Sequence, residues 1–205
     1  MGGFVHGECR GLCNRDLRAH CSYVQTVTMP IIRIVRQIAR TGIKTERPPQ
    51  PDQSLRVTQQ ELREEVLRCF QGSLAIRHVD AGSCNGCELE IHAMNNPYYN
   101  LEGLGINFVA SPRHADMLLV TGPVSRHMEV ALRRTYDCTP DPKLVVAIGE
   151  CGCTGGIFGE TYASCGRVAN VIPVDVAVPG CPPTPTAIMQ GILTAIRRGA
   201  PNAAG

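Results

Sequence analysis

The chain has 205 residues and a formal net charge of +2, which points to one domain with room for an arm and gives no charge-based case for a nucleic-acid or acidic partner. Hydrophobic residues make up 43% and aromatics only 4%, so the core must be built from Val, Ile, Leu and Ala, as in a parallel sheet covered on both faces. Eleven cysteines without a secretory apolar run speak against a secreted disulfide scaffold and for metal binding in a reducing compartment, and no stretch approaches the roughly 18 apolar residues of a membrane span.

Residues 1–28 hold Cys9, Cys13 and Cys21 with no apolar period; they read as a disordered arm, or as a start assigned upstream of Met29. Cys9-x3-Cys13 with His6 and His20 is a weak zinc pattern. Ile31, Ile34, Val35 and Ile38 have helical spacing, with Arg33, Arg36 and Arg40 largely off that stripe and Gly42 at the C′ position. This segment reads either as a basic amphipathic helix for a membrane subunit or lipid surface, or as a helix packed on its own domain. Residues 46–53 (ERPPQPDQ) are a linker by composition, and Thr58-x-x-Glu61 forms a capping box before Leu62, Val66, Leu67 and Phe70 on one face. Residues 29–72 are thus expected to be a helical arm and linker.

The main domain is expected over 73–198, with a short tail at 199–205. Strands are predicted at Leu74–Val79, Ile106–Ala110, Met117–Thr121 and Leu144–Ile148, and a strand or loop at Val171–Val176. Helices are predicted at Glu88–Met94, at Ser125–Tyr136 and over Thr186–Arg197, the last with Thr184 as N-cap and Pro185 at N1. The alternation is that of an α/β doubly wound fold, and the unbroken apolar run Leu144–Ile148 suits a central parallel strand.

Three cysteine turns follow predicted strands: DAGSCNGCE (80–88), GECGCTGG (149–156) and PGCPP (179–183). In an open α/β sheet ligands gather outside the carboxyl ends of the strands, so the three turns should share one edge and converge. Their glycines let backbone approach an inorganic cluster, and Cys181-Pro182 repeats a Cys-Pro pattern of cluster sites. Four thiolates close either an iron–sulfur or a zinc site. Zinc usually takes two tight Cys pairs, whereas here one pair is joined by distant singletons. A thioredoxin-like Cys84-x-x-Cys87 pair would leave the other two turns unexplained. An inert buried thiol accounts for Cys69, Cys138 and Cys165, but poorly for three glycine-flanked turns.

The turns SCNGCELE, GECGCTGGIF and VPGCPPTP, with SPRHADMLLVTGPV between them, resemble the small subunit of membrane-bound [NiFe]-hydrogenases of the formate-hydrogenlyase and hydrogenase-4 type, relatives of the 20 kDa subunit of respiratory complex I. The likeness covers about residues 73–197 and, more loosely, the chain from Met29. It implies a flavodoxin-like fold and one [4Fe–4S] cluster held by Cys84, Cys87, Cys151 and Cys181, with Cys153 extra to the pattern and a competitor for Cys151. It implies a large [NiFe]-hydrogenase-like catalytic subunit, a ferredoxin-like [4Fe–4S] subunit and integral membrane subunits as partners, at the cytoplasmic side of the cell membrane. The complex I subunit usually carries two adjacent cysteines in its first turn. The separated Cys84 and Cys87 therefore point to the hydrogenase side, with a complex I-like dehydrogenase subunit and a zinc-stabilised assembly module as alternatives.

Glu88 and Glu90 follow the first cysteines and are candidates for a proton relay, or simply carboxylates favoured by a helix N-terminus. Arg113 and His114 are candidates for a subunit interface or a solvated loop. The sequence carries no phosphate loop, no G-x-G-x-x-G after a strand and no nucleophile elbow, so a free-standing enzyme is not expected.

Overall fold

The computed structural model describes residues 30–42 and 52–199. The His6, Cys9, Cys13 and His20 pattern, the 1–28 arm, most of the linker and the tail after Gly199 lie outside the described residues. The chain divides into two units, residues 1–50 and 51–205.

In the first unit, helix α1 (Pro30–Thr41) contains the expected stripe. It closes as the glycine predicts, with the Gly42 N–H donating to the Ile38 carbonyl at 2.8 Å.

The second unit opens on α2 (Gln53–Phe70). The expected Thr58–Glu61 capping box does not form. Asp52 is the N-cap, and its carboxylate accepts from the Ser54 N–H at 2.9 Å. Thr58 lies inside the helix, buried, and its hydroxyl donates back to the Ser54 carbonyl at 3.1 Å, the usual recourse of a mid-helix threonine. The helix buries Leu55, Thr58, Leu62 and Val66, while Leu67 faces solvent. Leu55, Leu62 and Val66 join the main core and α2 packs along the last helix, so this core extends back before Ser73.

Five strands follow: β1 (Leu74–Asp80), β2 (Ile106–Phe108), β3 (Met117–Thr121), β4 (Leu144–Ile148) and β5 (Val176–Val178). All neighbours pair in parallel in the order β2-β1-β3-β4-β5, the flavodoxin-like arrangement. Between them run α3 (Gly86–Ala93), α4 (Arg126–Cys138), the short α5 (Gly149–Thr154) and α6 (Pro185–Gly199). Ser125 caps α4 by accepting from the Met128 N–H at 3.3 Å, and Thr184 caps α6 by accepting from the Ala187 N–H at 3.3 Å. The segment predicted as strand or loop over Val171–Val176 is mostly loop, and β5 begins at its last residue. Pro173 brings no N–H to a ladder, which delays the pairing.

Alternate strand residues feed two cores. Leu74, Ile76, Met117, Leu119, Val146 and Ile148 pack with α2, α3 and α6; Val79, Leu118, Val120, Val145 and Ala147 pack with α4 and the Val168–Ile172 turn. No helix among the described residues is long and apolar enough to cross a membrane.

Candidate metal centre

Four of the five strand ends matter here, because each parallel strand releases its chain at the same edge. β1 leads into Ser83, Cys84 and the start of α3 with Cys87; β3 into Gly122-Pro123; β4 into Gly149, Glu150 and Cys151; β5 into Gly180, Cys181 and Pro182. All of these, with Phe158, line one cavity. The structure therefore brings together Cys84, Cys87, Cys151 and Cys181 from three distant turns.

Two glycines make this approach possible. Gly149 sits at φ +84°, and a β-carbon there would stand 2.7 Å from the Cys87 sulfur. Gly156 sits at φ +54°, and its β-carbon would stand 2.9 Å from the Cys151 sulfur. Both are left-handed positions where a side chain is strained as well as obstructive. Asp80 fixes the first turn by accepting from the N–H groups of Gly82 and Ser83, each at 2.8 Å.

The thiols feel one another. Burial pushes the Cys87 thiol up to about 12, with Glu88, Cys84, Cys151 and Cys181 acting in the same direction. Cys151 is raised mainly by burial, then by Cys181 and Cys84. The Cys87 and Cys151 thiols would give up their protons readily only to a cation that compensates the charge, so metal binding here would release protons. Among the described residues no three His, Cys, Asp or Glu side chains gather round a single-ion position. A tetrahedral zinc ion needs its sulfurs about 2.3 Å from one point; the four cysteines instead stand around a cavity. Thiolate donors and glycine clearance fit an iron–sulfur cluster.

Cys153 does not line this cavity. Its sulfur points back to the Ala147 carbonyl at 3.7 Å, and it borders a separate hollow with Ala169, Val174 and Asp175. Burial pushes its thiol up to about 11. Cys165 is buried with its thiol donating to Glu129 at 3.3 Å, Cys69 is half-buried, and Cys138 is exposed at the end of α4.

Glu88 is buried beside Cys87, and neither carboxylate oxygen has a hydrogen-bond partner among the described residues. The basic group it faces is His78 Nε2, 3.7 Å away; His78 in turn meets the Thr121 hydroxyl at 3.1 Å. Burial lowers the His78 pKa against the pull of Glu88 and Asp80. Glu90 is only half-buried, and Arg113 and His114 lie in a turn before β3, outside the cavity lining. Sequence reasoning missed Gly122-Pro123, Phe158 and His78. A Gly-Pro turn after a predicted strand signalled the first. A histidine in register with Leu74 and Ile76 signalled the last.

Residues 84–195, which carry all four cavity cysteines, match the family described as NADH ubiquinone oxidoreductase, 20 Kd subunit. The chain belongs to this 20 kDa subunit family. Its relatives include the probable membrane-bound hydrogenase subunit mbhJ of Pyrococcus furiosus, 49% identical over 121 residues covering 59% of this chain and 72% of the relative. Formate hydrogenlyase subunit 7 of Escherichia coli is 44% identical over 135 residues, 66% of this chain but only 53% of that protein, so the match spans about half of that relative's length. A component of the NADH-quinone oxidoreductase of Desulfovibrio desulfuricans is 46% identical over 107 residues, 52% of this chain and 58% of the relative. Among solved structures, a chain of the membrane-bound sulfane sulfur reductase, an archaeal respiratory membrane complex, superposes with TM-score 0.55 at 35% identity, over 68% of this chain and 77% of that one. Members of the 20 kDa family thus occur as subunits of oxidoreductase complexes, both hydrogenase and NADH-quinone oxidoreductase.

Proposed function

We propose that this chain is the electron-transfer small subunit of a membrane-associated [NiFe]-hydrogenase complex and holds one [4Fe–4S] cluster through Cys84, Cys87, Cys151 and Cys181. The observation that carries the reading is the single cavity lined by these four cysteines. One close cysteine pair joined by two distant singletons, all in glycine-flanked turns, favours a polynuclear cluster over one zinc ion. Bound there, such a cluster supplies one-electron transfer between a hydrogenase-like large subunit and a ferredoxin-like subunit.

The protein's own residues do the rest. The thiolates bind, and the glycine turns keep backbone close and side chains clear. Glu88, buried with no hydrogen-bond partner on its carboxylate among the described residues, is the candidate proton carrier, with His78 Nε2 3.7 Å away; Glu90, less buried, is the lesser candidate. Integral membrane subunits complete the complex, and the chain sits peripherally on the cytoplasmic side. The Cys84-x-x-Cys87 spacing and the P. furiosus and E. coli relatives support the hydrogenase side. The D. desulfuricans relative keeps a quinone-coupled dehydrogenase as the second reading. A large subunit carrying two Cys-x-x-Cys nickel motifs decides for the first.

The direct test is anaerobic production with cluster assembly, iron and sulfide analysis, and electron paramagnetic resonance of the reduced chain. About four irons per chain and a cluster signal are expected. Cys181→Ser should abolish the signal and Cys153→Ser should keep it; a colourless chain with stoichiometric zinc refutes the reading. In the complex, Glu88→Gln should slow proton-coupled turnover at least about tenfold while the cluster signal stays.

A further inference from the structure

We propose that helix α1 is a lipid-docking element that lies in the interface of an anionic phospholipid surface. Three features of the helix itself carry the inference. First, its twelve residues are segregated: Ile34, Val35 and Ile38 form one stripe, with Ile31 in register. At about 100° per residue, Arg33, Arg36 and Arg40 fall within about 60° of one another on the opposite side. Second, the apolar side chains are not hidden: Ile32, Ile34, Val35 and Ile38 are each 47–58% exposed. Third, the charge has one sign, since α1 contains three arginines and no Asp or Glu.

The dimensions exclude a spanning role for this helix. Twelve residues rise about 18 Å, well short of the roughly 30 Å hydrocarbon core. A helix this short is marginal in water and gains its stability from what its apolar face meets. Apolar surface on one side and a pure arginine sector on the other suit the boundary between acyl chains and phosphate headgroups. The arginines choose the lipid class, because guanidinium groups pair with phosphate oxygens and with the negative potential of an anionic leaflet. A protein groove would take the same isoleucines, but has no need of three arginines with no acid among them.

This inference does not rest on the cluster. The cavity cysteines all belong to the second unit and α1 to the first, so cluster content and vesicle binding are separate measurements on one preparation. The test is flotation of the full chain with vesicles of phosphatidylcholine alone, or with about 30% phosphatidylglycerol. Binding is expected to the anionic vesicles, falling steeply between about 0.05 and 0.5 M salt. Each arginine contributes about fivefold, so Arg33→Gln/Arg36→Gln/Arg40→Gln together should weaken binding about a hundredfold. Ile34→Ser/Ile38→Ser should weaken it as well, and Arg63→Gln, an exposed arginine of α2, should leave it unchanged. All variants should keep the iron content of the parent. Failure to float, equal binding to neutral and anionic vesicles, or a triple-arginine variant that binds like the parent overturns the proposal and returns α1 to a protein partner.

Discussion

Replacing Gly149 by alanine tests the cysteine cavity at its tightest point. At φ +84° an alanine is strained by about 1–2 kcal/mol. Its β-carbon would also stand 2.7 Å from the Cys87 sulfur, and ordinary contact begins near 3.4 Å, so the sulfur must retreat by about 0.7 Å. Pushing the Cys87 side chain off its rotamer adds about 0.5–1.5 kcal/mol. The sum, about 2–3 kcal/mol, corresponds to roughly 5–10 °C in Tm for a chain of this size. Metal–ligand distances tolerate about 0.2 Å, so the displacement exceeds what a cluster ligand can absorb. Gly159→Ala is the control. It sits at φ +54° with no described residue beyond its chain neighbours within 4 Å of an added β-carbon, so it carries backbone strain of about 1 kcal/mol and no contact with sulfur. Calorimetry of the apo chain, with iron analysis and electron paramagnetic resonance after reconstitution, reads both effects. Gly149→Ala should melt lower than Gly159→Ala and lose the cluster, whereas Gly159→Ala should keep it. If Gly149→Ala reconstitutes fully with an unchanged spectrum, the reasoning that Cys87 is held against this turn is wrong.

Three further outcomes follow from burial and charge. Leu62→Ala, at a fully buried position of α2, should cost about 2–5 kcal/mol; Arg197→Ala, which breaks half-exposed pairs with Glu61 and Glu65, should cost under about 1 kcal/mol in the same denaturant titration. The raised thiols of Cys87 (about 12) and Cys153 (about 11) stay protonated in the folded apo chain while the unfolded chain ionises near 9.0. Apo stability should therefore be full below pH 9 and fall as pH rises from about 9 to 12, with a shallower fall in Cys153→Ser, measured by anaerobic melting. His78 has the opposite sign. Its folded pKa is depressed below 6.5, so the unfolded chain takes up the proton first. Stability should decline as pH drops below 6.5, and His78→Gln should flatten that limb.

The helix and strand pattern is legible because parallel strands buried on both faces read as unbroken apolar runs: β3 and β4 fall where Met117–Thr121 and Leu144–Ile148 predict. The cap at Thr184 is equally plain, since Thr-Pro leaves few alternatives to a helix start. The start of α2 is not, because Thr58 and Glu61 satisfy a capping pattern that takes no account of Asp52, which reaches the first N–H groups before them. The extent of the core escapes the sequence for a related reason. Leu55, Leu62 and Val66 show that α2 has an apolar face, but not that α6 and the sheet receive it. The cavity cysteines stand out in the sequence because each sits among glycines after a strand. Their convergence depends on topology. Cys153, two residues from Cys151, separates from it only through the turn of α5, which points its sulfur at Ala147.

The topology also explains why the site lies where it does. In the order β2-β1-β3-β4-β5, the helix after β1 covers one face of the sheet and the helix after β3 covers the other. The chain therefore parts between β1 and β3 and leaves a crevice at their carboxyl ends. The turns after these two strands, Ser83–Cys87 and Gly122-Pro123, form the crevice walls, and the turns after β4 and β5 bring Cys151 and Cys181 to it. Related α/β folds use such a crevice for the phosphates of a nucleotide or flavin, received on glycine-rich backbone at a helix N-terminus. Here the first turn is rich in glycine too, yet its side chains are thiols and the carboxylate of Glu88 lies directly behind them. An anionic phosphate would meet a buried acid and four ionisable sulfurs; a cationic iron core would be compensated by them. What the turns carry at this switch point, four thiols and a buried acid, suits a cation rather than an anion, with the strand order of the related folds unchanged.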